Sequence, residues 1–236
     1  MFKCRIAGLV VEFHNRYDFV HNSCRDYFCD ENEKSDIALS LTEEEIKKEA
    51  NEEETRLPIL EYTAFYRKLC EKVIEFDGFL LHGAAIELDG NGYIFCAESG
   101  TGKTTHIGYW AKLFGNKVSV VNGDKPIIRC IEGNPIVYGT PWCGKEKLNK
   151  NTSVPLRNLC FIHRAKENSV KKIGSDEALK QLMGQVLLPD SPFAMIQFLG
   201  LVDILVTKCE KYNIYCNMSI DAARVAYDEM NKGDTK

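Results

Sequence analysis

The spacing of hydrophobic and polar residues changes character near Gly78. Before that point the chain has a β-rich apolar run over residues 2–13, a short strand over residues 37–41, and a long helix from Pro58 to about Phe76. Apolar residues at helical spacing indicate this helix: Leu60, Ala64, Leu69, Val73 and Ile74. Thr42 followed by three glutamates has the pattern of a capping box, which predicts a second helix start.

After Gly78 the pattern alternates between short apolar runs and helical periods. It predicts strands over residues 79–88, 93–96, 118–121, 127–130, 136–138, 159–163 and 212–216, and helices over residues 103–114, 175–188, 192–209 and from 221. The turn Asp89-Gly90-Asn91-Gly92 is too short for a parallel crossover, so the two strands around it should pair antiparallel. We therefore predict an α/β fold with a mixed sheet. Residues 1–76 form an N-terminal α+β lobe, separate or integral to the core, and residues 77–236 form the core itself.

Composition narrows the class of protein. The chain has 236 residues, of which 44% are hydrophobic, so it can bury a sizeable core. Its net charge is -4, with no basic excess to bind a nucleic-acid backbone, and no apolar run reaches the roughly 20 residues that a membrane helix needs. Ten cysteines are scattered without Cys-x-x-Cys pairs, which favours small buried side chains in a reducing cytoplasm. We expect a cytoplasmic protein without a nucleic-acid or membrane partner.

The strongest chemical signal is the segment from Ala97 to Thr105, which fits a phosphate-binding loop with alanine in place of the first glycine. A strand precedes it and a helix follows it, as the motif requires. The residues predicted to bind a nucleotide are Glu98, Ser99, Gly100, Thr101, Gly102, Lys103, Thr104 and Thr105. The glycines let backbone N–H groups point at phosphate oxygens, Lys103 adds a positive charge, and Thr104 offers its hydroxyl to Mg²⁺. The cofactors predicted are ATP and Mg²⁺.

Two further residues are predicted at this site. If Gly90-Asn91 are the hairpin turn, Ile86 faces Phe95, and His82 falls opposite Ser99 at the mouth of the loop. Asp124 ends the buried strand that follows the loop helix, where a Mg²⁺-binding carboxylate is expected, and it can also act on a substrate hydroxyl.

Positive side chains elsewhere are candidates to steady a substrate or product phosphate. Lys145 is the first choice because small residues surround it, and Arg129 and Arg164 end nearby predicted strands. The alternative for each is a solvated surface position.

These segments together resemble the HPr kinase/phosphorylase family, whose catalytic domain has a phosphoenolpyruvate-carboxykinase-like P-loop fold. The resemblance is carried by Leu81-His82-Gly83, by Ser99–Thr105 and by Asn122–Lys125, and His82 lies 21 residues before Lys103, as in HPr kinases. Within this family the chain is similar in particular to small bacterial HPr-kinase-like proteins, which have patterns like its residues 139–145 and 155–161. It covers roughly residues 78–165 well and the rest loosely.

This resemblance implies a kinase that transfers the γ-phosphoryl of ATP to a hydroxyl, most often a serine of a protein or peptide, with His82, Asp124 and Lys103 as catalytic residues. One position departs from the family, which places two acidic residues after the strand, where this chain has Gly123-Asp124. The missing carboxylate is the one implicated as the base, so either His82 or Asp124 replaces it or catalysis is weak. The alternatives are a nucleotide-binding regulatory or scaffolding protein and a small-molecule kinase, and assembly into a homo-oligomer is left open.

Overall fold

The N-terminal part of the chain contains a small three-stranded sheet. The computed structural model describes residues 1–98 and 100–232. The sheet comprises β1 (Phe2–Ile6), β2 (Leu9–His14) and β3 (Ile37–Ser40), in the order β1-β2-β3. The β-rich apolar run predicted over residues 2–13 is a hairpin, because Ala7 and Gly8, both with positive φ, turn the chain between β1 and β2.

Three helices belong to this lobe. They are α1 (Asp18–Ser23), α2 (Glu43–Lys47) and α3 (Leu57–Val73). The predicted capping box at Thr42 is confirmed, and a short 3₁₀ turn extends α3 to Phe76 as the periodicity predicted. The apolar core of the lobe also includes Leu80, Ile127 and Trp142, so it packs directly against the part of the chain that follows Gly78.

The second part of the chain is built on a mixed sheet, as predicted, and the sheet has nine strands. They are β4 (Gly78–Leu80), β5 (Ala84–Leu88), β6 (Asn91–Cys96), β7 (Val118–Asn122), β8 (Ile127–Ile131), β9 (Asn134–Tyr138), β10 (Ser153–Arg164), β11 (Ser169–Lys172) and β12 (Glu210–Cys216). Seven lie in the order β4-β8-β9-β10-β6-β5-β7, while β12 pairs with β10, and β11 with β12. Strand β10 is parallel to β6 and β12 and antiparallel to β9, and the other pairs of this sheet are antiparallel.

Strand β10 joins the two parts of this sheet. Its first residues, 153–155, pair with β9, and from Leu156 onward it pairs with β6. A single strand of 12 residues thus has different partners at its two ends, and the sheet curls around it.

Four helices cover the two faces of the sheet. They are α4 (Lys103–Phe114), α5 (Ser175–Leu182), α6 (Pro192–Lys208) and α7 (Asp221–Met230). Helices α4 and α7 share one apolar core with the β5–β6 hairpin, while α5 and α6 pack in another core. Helix α5 ends six residues earlier than predicted, and strand β11 was not predicted.

Two details of the predicted hairpin are wrong. The turn is Asp89-Gly90, both with positive φ, so Ile86 faces Tyr93 instead of Phe95. The predicted strand over residues 79–88 is also two strands, β4 and β5, which lie apart in the sheet. The predicted pairing of His82 with Ser99 concerns a residue outside the described ones, but His82 itself lies between the two strands and not within the hairpin.

Other properties follow the composition. All ten cysteines are free thiols and eight of them are buried, as predicted. None of the helices in the described part of the chain combines the length and the apolar character needed to cross a bilayer.

Candidate functional site

Two glycines between β6 and α4 have backbone angles that favour glycine. Strand β6 ends at the buried Cys96, and α4 begins at Lys103. Gly100 and Gly102 have φ angles of 76° and 116°, a left-handed region that costs glycine little and other residues more. Gly102 is the N-cap of α4, so the positive end of a helix of 12 residues points into this loop.

Lys103 folds back over the loop. Its side chain is buried, and its Nζ donates a hydrogen bond to the carbonyl oxygen of Ala97 at 2.8 Å. Burial lowers the pKa of the Lys103 ammonium, although the nearby Asp124 carboxylate acts in the opposite direction. Among the described residues the ammonium group therefore has one hydrogen-bond partner, and it lies close enough to Asp124 to interact electrostatically with it.

His82 and Asp124 are in direct contact. His82 Nε2 lies 3.1 Å from Asp124 Oδ1. The backbone reinforces this contact, because the Gly83 N–H donates to the Asp124 carbonyl oxygen at 2.9 Å and the His82 N–H donates to that of Gln185 at 2.7 Å. The break between β4 and β5, and not the hairpin register, therefore brings His82 to the site.

Asn122 positions Asp124, and the sequence reasoning missed this role. Its buried side chain accepts hydrogen bonds from the backbone N–H groups of Asp124 and Lys125, at 2.9 and 2.7 Å, and donates to the carbonyl oxygen of Thr140. This is an Asx turn at the end of β7, a use of asparagine that the Asn-Gly-Asp-Lys sequence signals. It fixes the backbone from which the carboxylate projects.

The Asp124 carboxylate is ionised and partly accessible. Burial acts to raise its pKa, but the hydrogen bond from His82 and the charge of Lys125 outweigh burial, so the pKa lies below its ordinary value. The Lys125 Nζ is 3.9 Å from Oδ2, and about a quarter of the Asp124 side chain, 24%, remains exposed.

A side chain at Gly123 would be tightly packed. A Cβ at this position would lie 3.2 Å from the carbonyl oxygens of both Cys143 and Leu148, and the Gly123 N–H donates to the latter at 2.7 Å. Its φ is outside the left-handed region, so the constraint is steric. The loop over residues 140–149 therefore packs closely against the backbone of Gly123.

The three predicted phosphate ligands occupy different environments. Arg164 donates hydrogen bonds to the carbonyl oxygens of Thr101, at 3.3 Å, and of Gly100, so the structure brings it to the loop. Lys145 is exposed on the loop that packs against Asp124. Arg129 does not join them, which corrects its prediction. Its guanidinium donates to the carbonyl oxygens of Phe76 and Ala7, both at 2.9 Å, and thereby ties the two sheets together.

Two cavities flank the loop. The larger, about 760 Å³, is lined by residues of the loop, of β10 and of the turn after α5, among them Glu98, Thr101, His163, Arg164 and Gln185. The smaller, about 210 Å³, opens beside the start of α4 and is lined by Thr101, Gly102, Thr105, Tyr109 and Met218, among others. Thr104 is half-buried in the first turn of α4. The loop therefore has open space on both sides.

The residues present fit a magnesium ion held jointly with phosphate. The described residues contain no cluster of three or more His, Cys, Asp or Glu side chains that could hold a metal by themselves. Mg²⁺ is usually bound by one or two carboxylates together with substrate phosphates and water. The Asp124 carboxylate and the Thr104 hydroxyl are hard oxygen donors of this kind.

Comparisons with known proteins add little to this geometry. No protein-family model matches the chain, and no curated protein is significantly similar to it. Among the matching solved structures is that of the Hpr(Ser) kinase/phosphatase from Coxiella burnetii, with 9% sequence identity and a TM-score of 0.30, covering 66% of this chain and 99% of that one. Because that TM-score is low, the functional inference rests on this chain's own residues.

Proposed function

We propose that this protein is a nucleotide-dependent phosphotransferase, a kinase that moves the γ-phosphoryl group of ATP to a hydroxyl with the help of Mg²⁺. The proposal is supported chiefly by one juxtaposition. The His82–Asp124 pair lies beside a glycine-dependent loop whose Lys103 interacts electrostatically with Asp124. Phosphoryl transfer needs a phosphate cradle, a carboxylate for metal and a group near the acceptor hydroxyl, and these residues supply all three.

The loop would hold the phosphates. The left-handed backbone angles of Gly100 and Gly102 are of the kind that let N–H groups face a phosphate, and the helix that begins at Lys103 would contribute its positive end. On binding, the Lys103 Nζ exchanges its hydrogen bond with Ala97 for phosphate oxygens. A bound phosphate would also place negative charge next to this buried ammonium group and so stabilise its charged form.

His82 is the proposed base. When its Nε2–H donates to Asp124 Oδ1, the neutral ring has Nδ1 free to accept a proton, and no described residue hydrogen-bonds that nitrogen. The acceptor oxygen forms its bond to the γ-phosphorus, the bond from that phosphorus to the ADP oxygen breaks, and the hydroxyl proton goes to Nδ1. Asp124 then stabilises the imidazolium, while its Oδ2 remains available for the metal. When bound, Mg²⁺ supplies charge neutralisation on the phosphates.

Gly123 favours a second candidate function. The position where the resembled family has its base carries no side chain, and a Cβ there would be in tight contact with two carbonyl oxygens. A protein that binds ATP but transfers phosphate poorly, and acts as a regulatory partner, is consistent with that observation. The two functions differ in turnover and not in nucleotide binding.

The first experiment tests the loop. Calorimetric titration with ATP and Mg²⁺ should show binding to the wild type and at least about tenfold weaker binding to Lys103→Ala, because a charge-assisted contact to phosphate is lost. Lys117→Ala, an exposed lysine beyond the same helix, is the matched control and should bind like the wild type. Equal affinity of wild type and Lys103→Ala would exclude the loop as the nucleotide site.

The second experiment separates the two functions. Transfer of labelled phosphate should fall about 10²-fold or more in Asp124→Asn and in His82→Gln. If wild-type transfer to serine peptides and small hydroxyl compounds equals that of Lys103→Ala while ATP still binds, the non-catalytic function is correct.

A further inference from the structure

A third cavity is lined by Asp124 and by residues of the N-terminal lobe. Its volume is about 720 Å³, within the range of ordinary ligand sites. Residues of α1, of α3 and of the loop after β9 line it together with Asp124 and Lys125, and we call it the lobe cleft. It shares no lining residue with the two cavities that flank the phosphate loop.

One wall of the lobe cleft is aromatic and held in place. The rings of Tyr62 and Trp142 stack with centroids 5.4 Å apart, and Tyr66 lies 5.6 Å from Trp142. Tyr62 Oη donates to the carbonyl oxygen of Pro141 at 2.8 Å, and Trp142 Nε1 donates to that of Tyr62 at 2.9 Å. Phe19, which is 41% exposed, meets Tyr62 edge-on at 5.5 Å. This wall is a preformed surface for an apolar or aromatic group.

The charges of the lobe cleft favour an acidic ligand. Lys125 Nζ lies 4.8 Å from the centre of the Tyr66 ring, and Lys145 and Lys147 are exposed at the rim. Neither rim lysine has a carboxylate within 4 Å among residues 1–98 and 100–232. Against these three ammonium groups the lining residues offer two carboxylates, those of Asp26 and Asp124, and Asp124 is already bound to His82.

The position of the lobe cleft matches that of a second substrate. A nucleotide on the phosphate loop would leave the lobe cleft open, because the cavities at the loop lie elsewhere. Asp124 lines the lobe cleft and contacts His82, so a hydroxyl entering from this side reaches the pair that the proposed function makes catalytic. The N-terminal lobe is thereby given a role, since two of its helices form the wall.

We propose that the lobe cleft binds the phosphoryl acceptor, and that the acceptor is an acidic peptide segment with an aromatic or large apolar side chain next to its serine or threonine. This inference rests on the proposed function, because a phosphoryl acceptor is needed only if the protein is a kinase. A peptide fits better than a sugar-like compound, because the wall is mostly aromatic and apolar, whereas a polyhydroxyl ligand needs many converging polar groups. Rim lysines attract carboxylates on either side of the hydroxyl.

The test measures peptide binding without nucleotide, so that it is independent of catalysis. Two fluorescein-labelled pentapeptides are compared by polarisation with the full chain, one with Ser-Phe flanked by glutamates and one with Ser-Phe flanked by lysines. The acidic peptide should bind at least about tenfold more tightly at low salt, and the ratio should shrink in 0.5 M NaCl, where exposed charges are screened. Phe19→Ala and Lys147→Glu should each weaken binding of the acidic peptide severalfold. Lys150→Glu, an exposed charge reversal near the same loop but outside the lobe cleft, is the matched control.

The outcomes are distinct from those of the proposed function. Equal binding of the two peptides, no binding at millimolar peptide, or wild-type binding by Phe19→Ala and Lys147→Glu would each overturn the assignment of the lobe cleft, even if ATP binds. Phosphate transfer confined to small hydroxyl compounds would also overturn it. Peptide selectivity with no ATP binding would instead support a peptide-binding cleft and reject the kinase.

Discussion

Acidification from pH 8 to pH 5 should destabilise the fold by about 2 kcal/mol through one buried imidazole, that of His106. His106 lies on α4 directly after the phosphate loop and is 3% exposed. Its Nε2 accepts a hydrogen bond from Trp110 Nε1 at 3.1 Å, and its Nδ1 has no hydrogen-bond partner among the residues that the structure describes. Protonation of Nε2 would break the contact with Trp110 and leave a charge among apolar side chains, so burial lowers the pKa of His106 to about 4.

The sign and size of the effect follow from the two pKa values. In the unfolded chain His106 titrates near its ordinary value of about 6.5, so between pH 6.5 and pH 4 the unfolded state binds more protons than the folded state. The stabilisation is therefore complete above pH 6.5 and declines as the pH falls toward 4. A group with these two values loses about 2 kcal/mol of unfolding free energy between pH 8 and pH 5.

Urea denaturation at a series of pH values, followed by tryptophan fluorescence, measures this loss. His106→Gln keeps an acceptor for Trp110 but does not titrate, so its unfolding free energy should stay nearly constant between pH 6.5 and pH 5. His14→Gln, at an exposed position, should follow the wild type. The acidic groups are common to both proteins, so their contribution cancels in the comparison of wild type with His106→Gln. Parallel losses in wild type and His106→Gln would refute the reasoning.

Four substitutions test other parts of the structure by urea denaturation. Gly139→Ala should cost at least about 3 kcal/mol, because its Cβ would lie 1.9 Å from the carbonyl oxygen of Lys150; a near-neutral change would contradict this packing. Gly108→Ala, with no atom within 4 Å of its Cβ in the middle of α4, is its control and should gain about 0.5–1 kcal/mol. Gly123→Asp should lower the unfolding free energy without raising phosphate transfer. A gain in turnover would show that the loop over residues 140–149 moves to accommodate the new side chain. Arg129→Ala should lose about 1–3 kcal/mol of unfolding free energy, because two carbonyl oxygens are left without a donor, and kcat should be unchanged. A selective loss of kcat would show that Arg129 acts at the functional site after all.

The sequence by itself determined the features that depend on local interactions. The helix from Lys103 to Phe114, the phosphate-loop motif and the capping box at Thr42 are each written in a few neighbouring residues, through helical spacing, glycine freedom and side-chain caps. The place of Asp124 at the end of β7 was also readable, since an apolar run followed by Asn-Gly-Asp indicates a strand and its turn. These predictions did not require knowledge of any distant contact.

Only the tertiary structure decided what Asp124 meets. From the sequence the hairpin turn could fall on Asp89-Gly90 or on Gly90-Asn91. In the structure Asp89 and Gly90 form the turn with positive φ angles, and every cross-strand neighbour is shifted by two residues from the predicted register. His82 reaches Asp124 because β4 and β5 separate to join different parts of the sheet, and strand partners of this kind are chosen by packing across the whole core. The lobe cleft likewise exists because helices from the first third of the chain pack against a loop more than 70 residues later. Tyr62 and Pro141, for example, are joined by a hydrogen bond although they are 79 positions apart in the sequence. No periodicity within either segment encodes that contact.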